Sequence, residues 1–200
     1  MIVTVADFDV GNLHSLRKAI QKLGADTEVT PDVQRWLDAE VLVIPGDGAF
    51  ASMMAPIGEN REALAKRVKA GPTLGVCIGL QIVFEGSAED PEVPGLGVLD
   101  GMIERVPADR LPHMGWNTVR HSDSPLFDGI PQDEYFYFVH SYGALAHDAA
   151  VAWTDYGGPI VAGVAMGPTS YAVQFHPEKS AQWGLQLLKN FLTISKGGRP

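Results

Sequence analysis

The sequence predicts an α/β fold, a three-layer sandwich with a mostly parallel central sheet and an antiparallel extension. In the first half, short apolar runs rich in Val and Ile alternate with segments of helical periodicity, which is the pattern of βαβ units. In the second half, short strand-like runs are separated by Gly, Pro and Asp, which is typical of antiparallel hairpins. The 200 residues are 46% hydrophobic and contain no internal repeat or linker. We therefore predict a single domain over residues 1–200.

The first half supplies the parallel sheet. Residues 2–7 (IVTVAD) are expected to form a buried strand, and residues 12–23 a helix with Gly24 at its C-cap. The next elements are predicted, in order, at 27–30 (strand), 40–46 (strand), 59–70 (helix), 73–77 (strand) and 79–85 (helix). Strands and helices in this order favour parallel pairing, because each helix can return the chain across the sheet.

The second half supplies the extension. Strands are predicted at 95–106, 113–120, 135–139, 149–154, 160–166 and 170–175, and a closing helix at 181–195. Trp183, Leu187, Leu188 and Phe191 form one apolar stripe on that helix, which indicates that it packs against the sheet.

Composition excludes several classes of protein. A net charge of −9 argues against a nucleic-acid partner, because binding to phosphates requires a surplus of Lys and Arg. A single cysteine cannot form an internal disulfide and fits a reducing cytoplasm. The N-terminal MIVTVADFDVGN lacks the pattern of a signal peptide, and no apolar stretch approaches the roughly 18 residues of a membrane helix. We expect a soluble cytoplasmic protein with neither a nucleic-acid nor a membrane partner.

The single cysteine lies in TLGVCIGLQIVFEGS (73–87), where a predicted strand runs directly into a helix. Gly75 and Gly79 flank Cys77 as in a nucleophile elbow, because a Cβ at either position would clash with the strand or the helix. The start of a helix favours a thiolate, and the amide of Ile78 could donate to an oxyanion. A lone cysteine is more often a buried structural residue, but the flanking glycines favour a nucleophile.

A candidate base is His176 in AVQFHPEKS (172–180), at the end of a predicted strand. Its imidazole could take the proton of a thiol, and the carboxylate of Glu178 could hold the correct tautomer. Cys77 and His176 are far apart in sequence, so only the fold can bring them together. Taken alone, HPE is more typical of an ordinary turn. His140 in FVHSYG is better placed for binding than for catalysis.

A third motif is VIPGDGAF (43–50), in which two glycines follow a strand. Such a loop can aim backbone amides at a developing negative charge, although a plain turn is the simpler interpretation of this motif by itself. The sequence predicts neither a metal site nor a cofactor.

Together these motifs resemble those of the class I, triad-type glutamine amidotransferases, with GVCIGLQ as the elbow and HPE as the His–Glu pair. More narrowly, the chain resembles the glutaminase subunits of imidazole glycerol phosphate synthases. The motifs that carry this resemblance span nearly the whole chain: GNLHS (11–15), PGDGAF (45–50), LGVCIGLQ (74–81), LPHMGWN (111–117), YFYFVHSY (135–142) and QFHPEKS (174–180).

The resemblance implies a role for each matching residue. Cys77 would be the nucleophile, His176 the general base and then acid, and Glu178 its orienting partner. Glutamine binding would involve Gly48, Gln81, Glu89, His140, Ser141 and Tyr142. The oxyanion site would comprise Asp47, Gly48 and Ile78, and the partner interface Asn12, Trp116, Tyr137 and Lys179. Trp116 could instead be a core residue, and Lys179 a solvated loop lysine.

The resemblance also implies a partner and a reaction. The chain would hydrolyse L-glutamine and pass ammonia to a cyclase subunit of (β/α)8-barrel type in a one-to-one heterodimer. The cyclase would then form imidazole glycerol phosphate and an aminoimidazole carboxamide ribotide in histidine biosynthesis.

Two positions depart from the family pattern, and two other functions stay open. Asp47 lies between the two loop glycines where a small or apolar residue is usual, and we expect it to point to solvent, away from the oxyanion. Gly143 stands where an aromatic residue is common. The alternatives are a glutaminase serving a chorismate-using synthase and a non-catalytic, flavodoxin-like module whose thiol is a sensor.

Overall fold

A computed structural model of the chain describes residues 1–9 and 13–200, and its largest feature is a sheet of nine strands. The strands are β1 (Ile2–Ala6), β2 (Asp26–Thr30), β3 (Val41–Ile44), β4 (Thr73–Val76), β5 (Gly86–Ser87), β6 (Met102–Arg105), β7 (His113–His121), β8 (Glu134–His140), β9 (Tyr142–Gly143), β10 (Ala150–Asp155), β11 (Pro159–Ala165) and β12 (Ser170–Val173). The helices are α1 (Leu13–Lys22), α2 (Val33–Leu37), α3 (Phe50–Met54), α4 (Arg61–Ala70), α5 (Ile78–Gln81) and α6 (Ala181–Ser195). Short 3-10 turns occupy Gly58–Asn60, Pro125–Phe127 and Pro177–Lys179.

The strand order of the large sheet is β2-β1-β3-β4-β12-β11-β10-β7-β8. The strands from β2 to β12 in this order are parallel, and the strands beyond β12 are antiparallel. The short strands β5, β6 and β9 form a second, small sheet. The predicted parallel sheet with an antiparallel extension is therefore confirmed.

Helices cover both faces of the parallel part. Right-handed crossovers place α1 on one face and both α2 and α4 on the other, because the chain reverses direction across the sheet after β2. In agreement with this, α1 packs near α6, whereas α2 packs against α4. The parallel strands are apolar and buried, while β8 alternates buried Phe136 and Phe138 with more exposed tyrosines. None of the helices in residues 1–9 and 13–200 is long and apolar enough to cross a membrane.

Two predicted elements were too long, for a shared reason. The helix predicted over 79–85 ends at Gln81, and the strand predicted over 95–106 is confined to 102–105. The amides of Leu96 and Val98 donate to the carbonyls of Ile82 and Val83 at 2.7 and 2.8 Å. The segment after residue 95 thus pairs with the residues that follow Gln81 and ends the helix there, which local sequence does not reveal.

Two short helices, α2 and α3, were missed. The N-cap of α2 is Asp32, whose carboxylate accepts from the Gln34 amide at 2.9 Å, and this capping residue was a usable local signal. The amide of Phe50 at the start of α3 donates to Glu89 at 2.9 Å, a contact distant in sequence. Asn12 and the start of the helix predicted from residue 12 lie outside the described residues.

Candidate active site

Cys77 occupies a sharp, strained turn between β4 and α5. Its backbone has φ 55° and ψ −109°, which is rare for a residue with a side chain and costs conformational energy. The Cys77 amide donates to the carbonyl of Val173 at 2.8 Å, so the turn is tied to β12. The structure thus contains the bend that the sequence predicted at this position.

Three glycines permit this bend by leaving out a Cβ. A Cβ on Gly79 would overlap the carbonyl oxygen of Ile44 in β3, and one on Gly75 would overlap the carbonyl oxygen of Gly79. A Cβ on Gly46 would lie 2.8 Å from that of Ile78, so the loop after β3 also packs directly on the turn. The glycines therefore let β3, β4 and α5 approach closely enough to hold Cys77 at the carboxyl edge of the sheet.

The environment of the thiol comes mostly from other strands. Cys77 is 3% exposed, and its Sγ lies 3.7 Å from both the Val139 carbonyl oxygen and the Gln174 Nε2. Because α5 is a single helical turn, its dipole favours a thiolate less than the longer helix expected from the sequence would. The side-chain amide of Gln174 is an additional donor to the sulfur that the sequence analysis did not identify.

His176 and Glu178 form a buried pair beside Cys77. His176 Nδ1 lies 2.9 Å from Glu178 Oε1, and both side chains are almost completely buried. Burial by itself would lower the pKa of His176, but interactions with the Cys77 and Glu178 side chains outweigh burial and raise it to about 10. The fold thus brings the predicted nucleophile, base and carboxylate together, and the imidazole is held in its charged form.

The segment that carries His176 is fixed to β8. The His176 amide donates to the Tyr137 carbonyl at 2.9 Å, and the Tyr137 amide donates to Ser180 Oγ at 3.0 Å. Ser180 Oγ in turn donates to the His176 carbonyl at 2.6 Å. A Cβ on Gly184 of α6 would overlap the carbonyl oxygen of Pro177, so the helix also packs closely on this turn.

Asp47 does not point to solvent, so that expectation was wrong. Its Oδ1 lies 3.6 Å from His176 Nε2, and its side chain is 35% exposed. The charge on His176 explains the position, because a cationic imidazole attracts the nearby carboxylate. Gly48 next to it has φ +110°, a conformation available mainly to glycine, which allows the loop to turn Asp47 inward.

A cavity of about 480 Å³ opens above Cys77, within the size range of small-molecule sites. Its walls include every residue that the resemblance assigned to glutamine binding and to the oxyanion site: Asp47, Gly48, Ile78, Gln81, Glu89, His140, Ser141 and Tyr142. The sequence analysis did not identify the lining residues Pro112 and Val139. These two carry no polar side chain, and only the fold shows that they face the cavity.

Glu89 has a structural role as well as a place in the cavity wall. Its Oε2 accepts from the Phe50 amide at 2.9 Å, and Asp90 Oδ2 accepts from the Ala51 amide at 3.0 Å. Carboxylates at the N-terminus of α3 stabilise its unpaired amides. The cavity wall is thereby joined to the helix that follows the loop of Asp47 and Gly48.

The described residues that the sequence assigned to a partner interface share one surface. Trp116 is 52% exposed, which contradicts its alternative interpretation as a core residue. Its ring meets that of Tyr137 edge-on at 6.2 Å, and Lys179 Nζ lies 5.9 Å from the centre of the Tyr137 ring. Met114 and Tyr135 are also exposed, at 62% and 56%. We call Met114, Trp116, Tyr135, Tyr137 and Lys179 the β7–β8 face.

His113 is a further buried group that the sequence analysis did not assign. Its ring lies beside that of His140, and burial is the main cause that lowers the pKa of both to about 4. Within residues 1–9 and 13–200, no three His, Cys, Asp or Glu side chains are grouped so that they could hold a metal ion.

Comparison with known proteins identifies the class to which this fold and site belong. Residues 4–194 match the family described as glutamine amidotransferase class-I. A solved structure described as a glutamine amidotransferase has a TM-score of 0.76 at 20% identity, over 98% of this chain and 100% of that one, which shows a shared fold. The chain belongs to the class I glutamine amidotransferase family.

Relatives at higher identity share a more specific name. A Methanothermobacter thermautotrophicus protein named imidazole glycerol phosphate synthase subunit HisH is 45% identical over 197 residues, covering 96% of this chain and 98% of that protein. A Renibacterium salmoninarum protein of the same name is 43% identical over 205 residues, covering 95% and 93%.

The close approach at Gly79 predicts a stability effect. Gly79→Ala should lower the free energy of unfolding by roughly 2–4 kcal/mol, because the new methyl group would overlap backbone of β3. The measurement is urea unfolding followed by circular dichroism. The control is Gly143→Ala, whose Cβ would meet its neighbours at an ordinary 3.5 Å. Equal stability of the two variants would show that the Gly79 contact is not tight.

The causes of the raised pKa of His176 predict a second measurement. Cys77→Ala should lower this pKa, because Glu178 alone then counteracts the effect of burial. The pKa can be followed by NMR of the His176 ring nitrogens across a pH titration. Glu89→Gln is the control, because Glu89 lies in the same cavity but contacts the Phe50 amide. If the pKa were the same in Cys77→Ala and in the unsubstituted protein, the thiol and imidazole would not be coupled.

Proposed function

We propose that this chain is the glutaminase subunit of an imidazole glycerol phosphate synthase and supplies ammonia to a cyclase subunit in histidine biosynthesis. The observation that carries the proposal is that Cys77 lines a small-molecule cavity and interacts with His176, which is paired with Glu178. Its specific form rests on the relatives named subunit HisH, which match nearly the full length of the chain.

The first half of the reaction acylates Cys77. The thiolate attacks the side-chain amide carbon of glutamine, and the amide of Ile78 with the loop at Gly48 stabilises the oxyanion that forms. The charged His176 then donates its Nε2 proton to the departing nitrogen, which leaves as ammonia. Glu178 holds Nδ1 throughout and so keeps Nε2 directed at the reacting atoms.

The second half releases glutamate. Neutral His176 takes a proton from a water molecule, and the resulting hydroxide attacks the thioester carbon. Collapse of this second tetrahedral intermediate breaks the carbon–sulfur bond, and Cys77 returns as the thiolate beside the charged imidazole. The pair that began the cycle is thereby restored, with glutamate as the second product.

Asp47 favours the resting pair and opposes the oxyanion. Its carboxylate stabilises the charged ring of His176 at 3.6 Å, but a second negative charge in the same cavity is repelled by it. The loop that carries Asp47 and Gly48 therefore has to rotate this carboxylate outward before glutamine is attacked. Such a step fits a glutaminase that works only with its partner.

The β7–β8 face is the proposed docking surface for a cyclase of (β/α)8-barrel type in a one-to-one heterodimer. Strand β8 is an edge of the large sheet, and Trp and Tyr side chains are frequent anchors of protein interfaces. Tyr137 and Lys179 belong both to this face and to the cavity wall. Ammonia formed at Cys77 would therefore have a short path to the partner, without the bulk water that would protonate it.

The two alternatives have less support. The relatives named subunit HisH favour a histidine-pathway cyclase over a chorismate-using synthase as the partner. The cavity and the paired His176 and Glu178 favour catalysis over a sensor module, since a sensor thiol needs neither of them.

The mechanism predicts a selective loss of activity. Cys77→Ala should abolish synthesis from glutamine in the complex with the cyclase, because no thioester can form. Synthesis from added ammonium salt should persist, because the cyclase then needs no glutaminase. Product formation with each nitrogen source is the measurement. An equal fall in both reactions would show that Cys77 does not act as the nucleophile.

The docking surface predicts a change in affinity. Trp116→Ala should weaken binding to the purified cyclase by about 30-fold, as expected for a central aromatic anchor worth about 2 kcal/mol. Titration calorimetry gives the dissociation constant. The matched control is Ile2→Ala, because Ile2 is similarly exposed, at 53%, but lies in β1 within the parallel part of the sheet. An unchanged affinity for Trp116→Ala would place the interface elsewhere.

A further inference from the structure

A chain of hydrogen-bonded side chains runs from β7 to the sulfur of Cys77, and the mechanism above does not use it. It consists of Asn117, His113, His140, Gln81 and Gln174, together with the Tyr142 carbonyl. All of these side chains except Asn117 are buried, each less than about a tenth exposed. Most groups buried to this degree are paired, because each unpaired group costs free energy, although Gln81 Oε1 has no hydrogen-bond partner among the described residues.

The direction of the chain is fixed at the Tyr142 end. The Tyr142 carbonyl can only accept, so His140 Nδ1, at 2.9 Å, must carry a proton. His140 is neutral, with a pKa lowered to about 4, so its Nε2 is an acceptor. His113 Nδ1 lies 3.0 Å from that nitrogen and must be the donor.

The direction is fixed independently at the Asn117 end. Asn117 Oδ1 accepts from the Thr118 amide at 2.8 Å, and its Nδ2 donates to the Asp155 carbonyl at 2.8 Å. The same Nδ2 lies 3.2 Å from His113 Nε2, which must therefore accept. Both ends require the same tautomer of His113, with the proton on Nδ1, so the two assignments agree.

The chain continues from Tyr142 to the thiol. Gln81 Nε2 donates to the Tyr142 carbonyl at 2.8 Å and to Gln174 Oε1 at 3.3 Å. With its oxygen engaged in this way, Gln174 turns its NH2 group toward Cys77 Sγ at 3.7 Å. A donor at this position stabilises a thiolate more than a thiol.

The position of His113 is fixed by ring packing and by the strand. Its ring stacks on that of Phe138 at 4.7 Å and on that of Tyr156 at 4.1 Å. Side chains alternate along a strand, so His113 and Asn117 enter the interior while Trp116 faces outward. Strand β7 thus carries the proposed docking surface on one face and the start of the hydrogen-bonded chain on the other.

We propose that His113 and Asn117 are positioning residues that hold His140, and through Gln81 and Gln174 set the hydrogen bond to the Cys77 thiolate. The catalytic meaning of this inference rests on the proposed glutaminase function, but the effect on the thiol does not. The chain of contacts explains why a strand bearing an interface residue also carries two inward-facing polar residues.

The test is the rate of alkylation of Cys77 by iodoacetamide as a function of pH, with the free full-length chain. His113→Phe keeps a stacked ring but loses both hydrogen bonds. It should slow alkylation at neutral pH about five- to tenfold and shift the midpoint to higher pH, because the thiolate loses part of its stabilisation. His113→Gln retains a donor toward His140 and should restore the rate to within about threefold of the unsubstituted protein.

Two further variants keep the test decisive. Gln174→Met removes the donor at the sulfur itself. The slowing of alkylation in this variant is the upper limit for the slowing expected in His113→Phe. Asn117→Ala, at the more exposed end, should slow alkylation in the same direction even if His113→Phe does not fold by circular dichroism. The proposal is overturned if Asn117→Ala and His113→Phe both match the unsubstituted protein, or if His113→Gln is as slow as His113→Phe, which would indicate ring packing alone.

The assay separates this proposal from the proposed function. Alkylation requires neither glutamine nor a cyclase. If the His113 and Asn117 variants were alkylated more slowly but the unsubstituted protein had no glutaminase activity, the positioning role would be supported and the proposed function refuted. If the variants were alkylated at the rate of an unsubstituted protein that is an active glutaminase, the proposed function would be supported and the positioning role refuted.

Discussion

The parallel pairing of β4 with β12 is the contact on which the site depends. Val76 lies opposite Val173, and the amide of the next residue, Cys77, continues the ladder to the Val173 carbonyl at 2.8 Å. Both strands therefore end at the same edge of the sheet, where the chain turns sharply after each. The elbow follows β4 and the segment with His176 follows β12, so one register places two groups side by side that are far apart in sequence.

The electrostatics of the site follow from this placement and from burial. A buried imidazole would by itself become neutral, and a buried thiolate would be poorly solvated. The Cys77 and Glu178 side chains counteract burial at the imidazole, and His176 keeps a pKa of about 10. Asp47 adds a second carboxylate to the same ring at 3.6 Å. The resting site therefore stabilises a charged imidazole, whereas the carboxylate of Asp47 opposes a further negative charge nearby.

The antiparallel extension has two different faces, and each serves the site. On one, β7 and β8 expose Trp116 and Tyr137 for the proposed partner. On the other, His113 and His140 begin the polar contacts that reach Cys77. Strand β8 also holds the segment of His176 through the backbone of Tyr137. A partner that binds this extension would therefore contact β8, whose carbonyls of Val139 and Tyr137 touch the Cys77 thiol and the His176 amide.

Local sequence alone determined a large part of this protein. The alternation of apolar strands with helices gave the layered fold, and the glycines around Cys77 gave the elbow, because strand periodicity and the lack of a Cβ are local properties. It did not determine the ends of α5 and β6, since the loop from residue 95 supplies hydrogen bonds from a distance. Helix α3 was missed for the same reason, because the amide of Phe50 at its start donates to the distant Glu89.

Only the tertiary structure decided how the functional groups meet. Gln174 is polar within an otherwise apolar segment just before His176, which was a signal that could have been used, but its contact with Cys77 requires the sheet. The inward position of Asp47 depends on a charge that Cys77 and Glu178 maintain on His176 against the effect of burial. The sequence determined which chemical groups are present, whereas their protonation and mutual contacts depend on burial and on distances that arise only when remote strands pair.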